Sequence, residues 1–323
     1  MCEGSISVRQ YSVKDFEVWD RFVDNSRNGT FLHTRKFLSH HGDKFQDVSL
    51  IFENSNGSIV GVFPAAIDIQ QEYYRVVSHP GITYGGIVHH GFLRGQNMLD
   101  AFKIMISKYR QEGIHNILYK VIPYIYHQVP ASDDLYTLFR LGAVCYRRDL
   151  SATIDIPNRP KLGKGRRYFL KKAQKYGVVV KEGYEYLEPF WNILKDNLAN
   201  KYNAKPLHSL AEIQNLSIMF PDNIKCRVGL INSEVVAGTV IFQTQQVIHA
   251  QYMAASEHGR QTSALDLIIE SWIMEANILG IRYFNFGSST EKDGTFLNSN
   301  LYQYKSEFGA GGVVHEFYEL SLI

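Results

Sequence analysis

Apolar and polar residues alternate over 6–11, 48–53 and 59–67, the period of two that turns one face of a strand inward. The last two runs flank Asn54-Ser55-Asn56-Gly57, a turn sequence that predicts a hairpin. An amphipathic stretch over 13–24 and a shorter one over 35–40 predict two helices between the first and second strands. Leu99, Phe102, Ile106 and Tyr109 then recur at helical spacing until Gly113 stops the helix, and 114–121 reads as a buried strand. A short helix over 136–141 ends at Gly142, and 143–156 alternates as a closing strand.

A similar order of elements returns further along. Runs 224–231 and 235–244 read as strands paired around Asn232-Ser233, with a third strand at 247–254. The helix predicted over 263–279 has an apolar face of Leu265, Ile268, Trp272 and Ala276 and stops at Gly280, before a strand at 281–286. Gly113-Ile114 and Gly280-Ile281 are 167 residues apart, as are Gly142-Ala143 and Gly309-Ala310. The expectation is an α/β protein in which one unit occurs twice: an N-terminal lobe over 1–157, a basic connecting helix over 158–177 and a C-terminal lobe over 178–323.

Composition agrees with two folded lobes, since 323 residues exceed what one core usually supports and 45% of them are hydrophobic. A net charge of +2 is too small to make the whole surface a nucleic-acid binder, so charge matters locally. It is concentrated at the joint, where Arg159, Lys161, Lys164, Arg166, Arg167, Lys171, Lys172, Lys175 and Lys181 meet only Glu182. Arg167, Lys171 and Lys175 share one helical face, which suits the phosphates of a nucleotide- or lipid-linked sugar, a tRNA acceptor stem, an anionic membrane surface, or simply solvent.

Cys2, Cys145 and Cys226 have neither metal nor redox spacing and are expected to be free thiols. The opening residues carry no leader pattern, and the longest apolar runs are interrupted well short of a membrane span, so a cytoplasmic location is expected. No metal motif is present, and the glycine-rich turn over 78–86 lacks the Lys-Ser/Thr of a phosphate loop. His249 and Gln251 share one face of the 247–254 strand, with Tyr252, a further catalytic candidate, on the other. The first is a candidate base for an acceptor amine, and the second a candidate to orient an acyl donor. Glu291 and Asn298, in the polar stretch after the 281–286 strand, are candidate substrate contacts.

Meander strands, a helix, a parallel-type strand and a closing helix-strand pair, met twice around a basic joint, resemble the GNAT superfamily. With Leu301-Tyr302-Gln303-Tyr304-Lys305-Ser306-Glu307-Phe308-Gly309-Ala310, they look like its Fem-type aminoacyltransferases and related envelope-polysaccharide N-acyltransferases. The resemblance implies a tandem duplicated GNAT (acyl-CoA N-acyltransferase) fold, mixed sheets with flanking helices, in which the sheet splays open to admit substrate. It implies transfer of an acyl or aminoacyl group from acyl-CoA or charged tRNA to an amine of a cell-envelope sugar or peptide precursor by direct attack. The Tyr304-Lys305 pair resembles the aromatic-Lys pair that Fem-type enzymes place near the reacting carbonyl, which implies that Lys305 stabilises an oxyanion or grips a phosphate. Arg260, Gln261, Thr262 and Ser263 stand where GNAT enzymes hold the cofactor pyrophosphate, and Thr262 and Ser263 are placed to cap the following helix. This loop holds the single glycine Gly259 and departs from the family pattern of Arg or Gln followed by Gly-x-Gly or Gly-x-Ala, a departure that a tRNA donor tolerates. In related acyltransferases the region of the 78–86 turn borders the acceptor groove, which implies that Tyr84 contacts the acceptor there. A noncatalytic binder of a phosphorylated glycan or RNA on the same scaffold, with peripheral membrane contact as a further option, is the alternative reading.

Overall fold

The computed structural model describes residues 5–68 and 75–322, so Cys2 lies outside it. By contact the chain forms two compact units. The first comprises residues 1–149, 291–296 and 314–323, and the second 150–290 and 297–313. The basic helix expected between lobes belongs to the second unit, and the C-terminal strand from Val314 on belongs to the first.

The first unit runs β1 (Ser7–Gln10), α1 (Phe16–Asp24), α2 (Arg35–Leu38), β2 (Leu50–Glu53), β3 (Ile59–Phe63), β4 (Ala66–Asp68), β5 (Arg75–Val77), β6 (Val88–His89), α3 (Gln96–Gln111), β7 (Asn116–Lys120) and α4 (Asp133–Arg140). Strands β1-β2-β3-β6 make an antiparallel meander. The run 59–67 is two strands rather than one. Pro64 has no N–H for a ladder, so β3 ends before it and β4 pairs with β5 instead. Parallel pairing joins β5 to β7, whose other edge takes Phe317–Ser321 antiparallel. In this unit's core Phe63 stacks on the Tyr119 ring, which Phe102 meets at a tilt.

The second unit takes the end of β8 (Val144–Asp155), then α5 (Lys164–Lys175), β9 (Val179–Glu182), α6 (Leu187–Tyr202), α7 (Leu210–Met219), β10 (Ile224–Ile231), β11 (Glu234–Gln243), β12 (Val247–Ala255), α8 (Glu257–Thr262), α9 (Ala264–Ile278) and β13 (Tyr283–Ser288). The short pair β14 (Thr290–Glu291) and β15 (Phe296–Leu297) leads to α10 (Ser299–Ser306), and β16 (Gly311–Ser321) ends the chain's regular structure. Its strand order is β9-β10-β11-β12-β13-β8, antiparallel except for the parallel β12–β13 pair. The two faces are covered by bulky anchors. Trp272 of α9 donates to the Thr239 hydroxyl at 2.8 Å beneath the Arg227 guanidinium. Phe190 of α6 sits against Gly238, where an added Cβ would come within 2.4 Å of the ring.

The duplication is visible in matching helix ends. Gly113 (φ 75) and Gly280 (φ 70) each sit one residue past the cap of α3 and α9, a backbone that glycine adopts without strain. The bonds that close the two ends also correspond: Ile114 N to Tyr109 O at 3.0 Å, and Ile281 N to Ala276 O at 2.9 Å. Both helices feed a strand that pairs parallel with an earlier one, β7 with β5 and β13 with β12, and the paired residues Asn116–Leu118 and Tyr283–Asn285 keep the 167-residue offset. The second glycine pair matches less well. Gly142 closes α4 by the same cap, whereas Gly309 lies further beyond α10, which ends at Ser306.

Candidate active site

In the second unit, β12 and β13 pair only through Val247–His249 against Tyr283–Asn285. Two local features part them beyond that point. Tyr252 and Ala250 pair with the adjacent Val240 and Ile241, which leaves Gln251 as an extra, bulged residue. On β13, Gly287 adopts φ 73, a left-handed turn that only glycine makes cheaply.

His249 stands at the fork. Its Nδ1 lies 2.9 Å from Asn285 Oδ1, and Asn285 also reaches Ser151 and Thr153 while accepting from the Gly287 N–H at 2.7 Å. Burial holds the imidazole down at about 4, opposed by its Asn285 bond and reinforced by the charge of Lys305, so it is neutral at pH 7. A Cβ on Gly287 would lie 3.6 Å from His249 Cε1.

Lys305 arrives at the same glycine from the other side. Helix α10 is capped by the Asn298 side chain, which accepts from Leu301 N at 3.0 Å, and carries Lys305 as its last residue but one. Lys305 is 2% exposed and donates to Gly287 O at 3.0 Å and Ser288 O at 2.6 Å. Burial pushes its pKa down to about 7. An ammonium has three donors, so one N–H remains for a ligand. The fold therefore brings His249 and Lys305, two of the three catalytic candidates, to one residue.

The third stands apart from them. Tyr252 projects to the opposite face, where its hydroxyl bonds His208 Nδ1 at 2.6 Å and its ring meets Trp191 at 4.9 Å, and burial pushes its pKa up to about 12. Gln251 lies beside both His249 and Tyr252. Three buried polar atoms of this region, Gln251 Oε1, Ser289 Oγ and Trp191 Nε1, have no hydrogen-bond partner among the described residues. Buried polar groups are almost always paired, so each of these calls for water or a bound molecule.

A pocket of about 520 Å³ opens at the start of α9, lined by Arg166, Phe169, Arg260, Ser263, Tyr304 and Glu307 among others. Its acids and cations balance. Arg166 is buried, paired with Asp266 and, at 2.7 Å, with Glu307, and lies 3.9 Å over the Phe308 ring.

The loop residues expected to meet a pyrophosphate are largely occupied by their own turn. Thr262 does not cap α9 but donates back to His258 O at 2.8 Å, and Ser263 is the N-cap in a left-handed conformation without a side-chain cap bond. Arg260 donates to Ala255 O at 2.6 Å and Asn197 Oδ1 at 3.1 Å, and Gln261 reaches Glu257 at 3.4 Å. Asp266 stands in the first turn of α9, where a phosphate would otherwise be welcomed by the helix dipole.

Three further expectations change with the structure. Tyr84 is buried, bonded to Thr30 at 3.3 Å and packed 4.2 Å from the Tyr126 ring, so it belongs to the first unit's core rather than to a groove. Asn298 serves as the cap described above, and Glu291 is exposed on β14. In the basic run, Arg166 turns inward, Arg159 pairs with Glu270 at 2.8 Å, and Glu182 pairs not with that run but with Arg227 at 2.6 Å. Arg167, Lys171 and Lys175 are exposed on α5 beside Tyr168 and Tyr176. Asn285, Ser289, Trp191 and His208 were not singled out from the sequence. Asn285 carries a legible signal: it is a lone amide in the apolar run Tyr283–Phe286.

No family model and no curated protein matches the sequence. Solved structures do match in fold. A crystal structure of FemX superposes with a TM-score of 0.71 at 12% identity, covering 97% of each chain. L-PGS from Bacillus licheniformis gives 0.61 at 13% identity, covering 97% of this chain and 92% of its own. A tandem GNAT protein from the clavulanic acid biosynthesis pathway gives 0.53 at 10% identity, covering 99% of both. The chain has the tandem GNAT fold, as its sequence resemblance to Fem-type proteins implied.

Among the described residues no helix is long and apolar enough to cross a membrane, and no group of three or more His, Cys, Asp or Glu could hold a metal ion. Cys145 and Cys226 are free thiols.

Proposed function

We propose that this protein is an N-acyltransferase that moves an acyl or aminoacyl group from acyl-CoA or charged tRNA to an amine of a cell-envelope sugar or peptide precursor. The observation that carries the reading is the convergence of a neutral imidazole, His249, and a buried lysine, Lys305, on Gly287 where two parallel strands part. In the proposed reaction the acceptor amine attacks the donor carbonyl, forming the C–N bond and an oxyanion. The third N–H of Lys305 stabilises that oxyanion, and His249 takes the proton that the amine loses. Collapse breaks the bond to the sulfur or ribose oxygen, and the proton held by His249 passes to that leaving group. The atoms balance without a covalent enzyme intermediate.

The similarity in fold to FemX, L-PGS and a tandem GNAT protein supports the reaction class and leaves the donor open. Charge distribution informs the donor question. The pocket at α9 is internally neutralised, whereas the outer face of α5 carries exposed cations, so we assign phosphate recognition to Arg167 and Lys171. Titration calorimetry with acetyl-CoA, run beside an aminoacyl-transfer assay with charged tRNA and an amino-sugar nucleotide, tests the proposal. Binding and turnover with either donor supports it, and failure with both removes it.

A further inference from the structure

His249 has two ring nitrogens, and only an unprotonated one can accept a proton. Which one is unprotonated follows from the hydrogen bonds around Asn285. The main-chain N–H of Gly287 points at one terminal atom of the Asn285 side chain from 2.7 Å, and an N–H must meet an acceptor, so that atom is the carbonyl oxygen Oδ1. The amide nitrogen then faces Ser151 Oγ and Thr153 Oγ1, each at 2.8 Å, and both hydroxyls can accept. The reverse orientation would oppose two donors at Gly287. His249 Nδ1 lies 2.9 Å from the same Oδ1, and two acceptors do not bond, so Nδ1 carries the proton.

We infer that Asn285 is a positioning residue that fixes neutral His249 as its Nδ1–H tautomer, leaving Nε2 as the nitrogen that accepts the proton of the acceptor amine. The inference deepens the proposed function and rests on it only for the role of Nε2; the tautomer stands on the hydrogen bonds around Asn285. Ser151 and Thr153 from β8 are the second layer, since they hold the amide that holds the imidazole. Lys305, from α10, is the charged group whose field reaches the ring; Asn285 from β13 and Gln251 from β12 are neutral, and both interact with it by side-chain hydrogen bonding.

Histidine-selective 15N labelling of the protein without substrate reads the tautomer directly, with the His249 signals assigned by their loss in His249→Gln. The expected spectrum has a protonated Nδ1 and an unprotonated Nε2 at pH 7. An Nε2–H tautomer, or an even mixture of the two, overturns the inference.

Asn285→Asp supplies a second reading. A carboxylate can accept from Gly287, His249, Ser151 and Thr153 together, because both hydroxyls can turn to donate, so this variant retains the network. Its negative charge raises the His249 pKa from about 4 by about one to three units, and the midpoint of the 15N titration moves with it. An unmoved midpoint means that Asn285 does not govern the ring.

Asn285→Ala, in contrast, lets both tautomers form and should lower kcat on the order of tenfold to a hundredfold with little change in KM, with recovery in Asn285→Asp above the raised pKa. A kcat for Asn285→Ala equal to wild type overturns the positioning role. Full turnover by His249→Gln, with the Nδ1–H tautomer confirmed in wild type, overturns the base role in the proposed function and leaves the tautomer assignment standing.

Discussion

Lys305 is a cation in a place that resists charge, and its behaviour with pH follows from that conflict. Its pKa falls from 10.5 in the unfolded chain to about 7 in the folded one because burial penalises the ammonium. Between these values the unfolded chain holds more protons, so stability rises with pH across that window; the penalty is fully felt below pH 7 and absent above 10.5. Chemical-denaturation curves of wild type and Lys305→Met at successive pH values should show this slope in the first and not in the second; equal slopes would mean the lysine keeps its ordinary pKa. The same titration controls the proposed chemistry. Lys305→Met retains the apolar stem, so the protein should fold, while kcat/KM falls on the order of a hundredfold at pH 6.5, the typical worth of an oxyanion donor. The wild-type to Met ratio should then shrink as pH rises through about 7 and the ammonium is lost. A ratio that grows with pH would instead make the neutral amine the working form. Much of this site is legible along the chain, because His249, Gln251 and Lys305 are polar residues at positions where a strand or helix would be expected to bury apolar ones. The partners of Lys305 are not legible, since Gly287 and Ser288 contribute carbonyl oxygens, which every residue has.

Helices show the same divide between what a pattern carries and what tertiary contact decides. The positions of α3 and α9 follow from their apolar faces and terminal glycines, and their structural ends agree within a few residues. Helix α5 is legible as a basic segment, yet its six cations look alike until burial sorts them. Arg166 faces inward because Asp266 and Glu307, about a hundred residues on or more, come to meet it. Arg167 and Lys171 face solvent with Tyr168 between them in sequence. Changing Arg167 or Lys171 to Ala should therefore leave the melting temperature nearly unchanged and weaken phosphate-bearing substrate by on the order of threefold to tenfold. If the substrate is a single-stranded RNA end, the slope of log affinity against log salt should drop by about 0.7 for each contact removed. Unchanged affinity and slope would assign this face to solvent. Arg166→Ala separates the two roles of the helix: it leaves Asp266 buried and unpaired and should cost roughly 3–5 kcal/mol of stability, measured by denaturant unfolding.

At the scale of the whole chain, alternation announces that 143–156 is a strand but is silent about which sheet it joins, and it assigns no element to the last residues. Pairing is a matter of distant contacts, and here it assigns the C-terminal segment to the first unit. Tyr318, Leu320 and Ser321 lie across from Tyr119, Ile117 and Asn116 of β7, and Leu322 N donates to His115 O at 2.7 Å. Leu320 and Leu322 are buried in the same core as Phe102 and Tyr119. A fragment ending at residue 157, the boundary expected from the sequence, would lack all of this. It would leave β7 with an open edge and forfeit roughly 1.5–3 kcal/mol for each of the two leucines, before counting the lost ladder. Against a typical domain stability of about 5–15 kcal/mol, that loss is large enough to unfold the fragment or make it aggregate through the exposed edge. The expected outcome is that residues 1–157 alone show no cooperative thermal transition by circular dichroism. The same fragment extended through a flexible linker by residues 314–323 should regain one, because the core positions and the β7 partner return together. Replacing Leu320 and Leu322 by Asp in the extended fragment should abolish the gain, since the strand would then carry charge into the core. A bare fragment that melts cooperatively at the temperature of the extended one would show that the first unit is complete without its C-terminal strand.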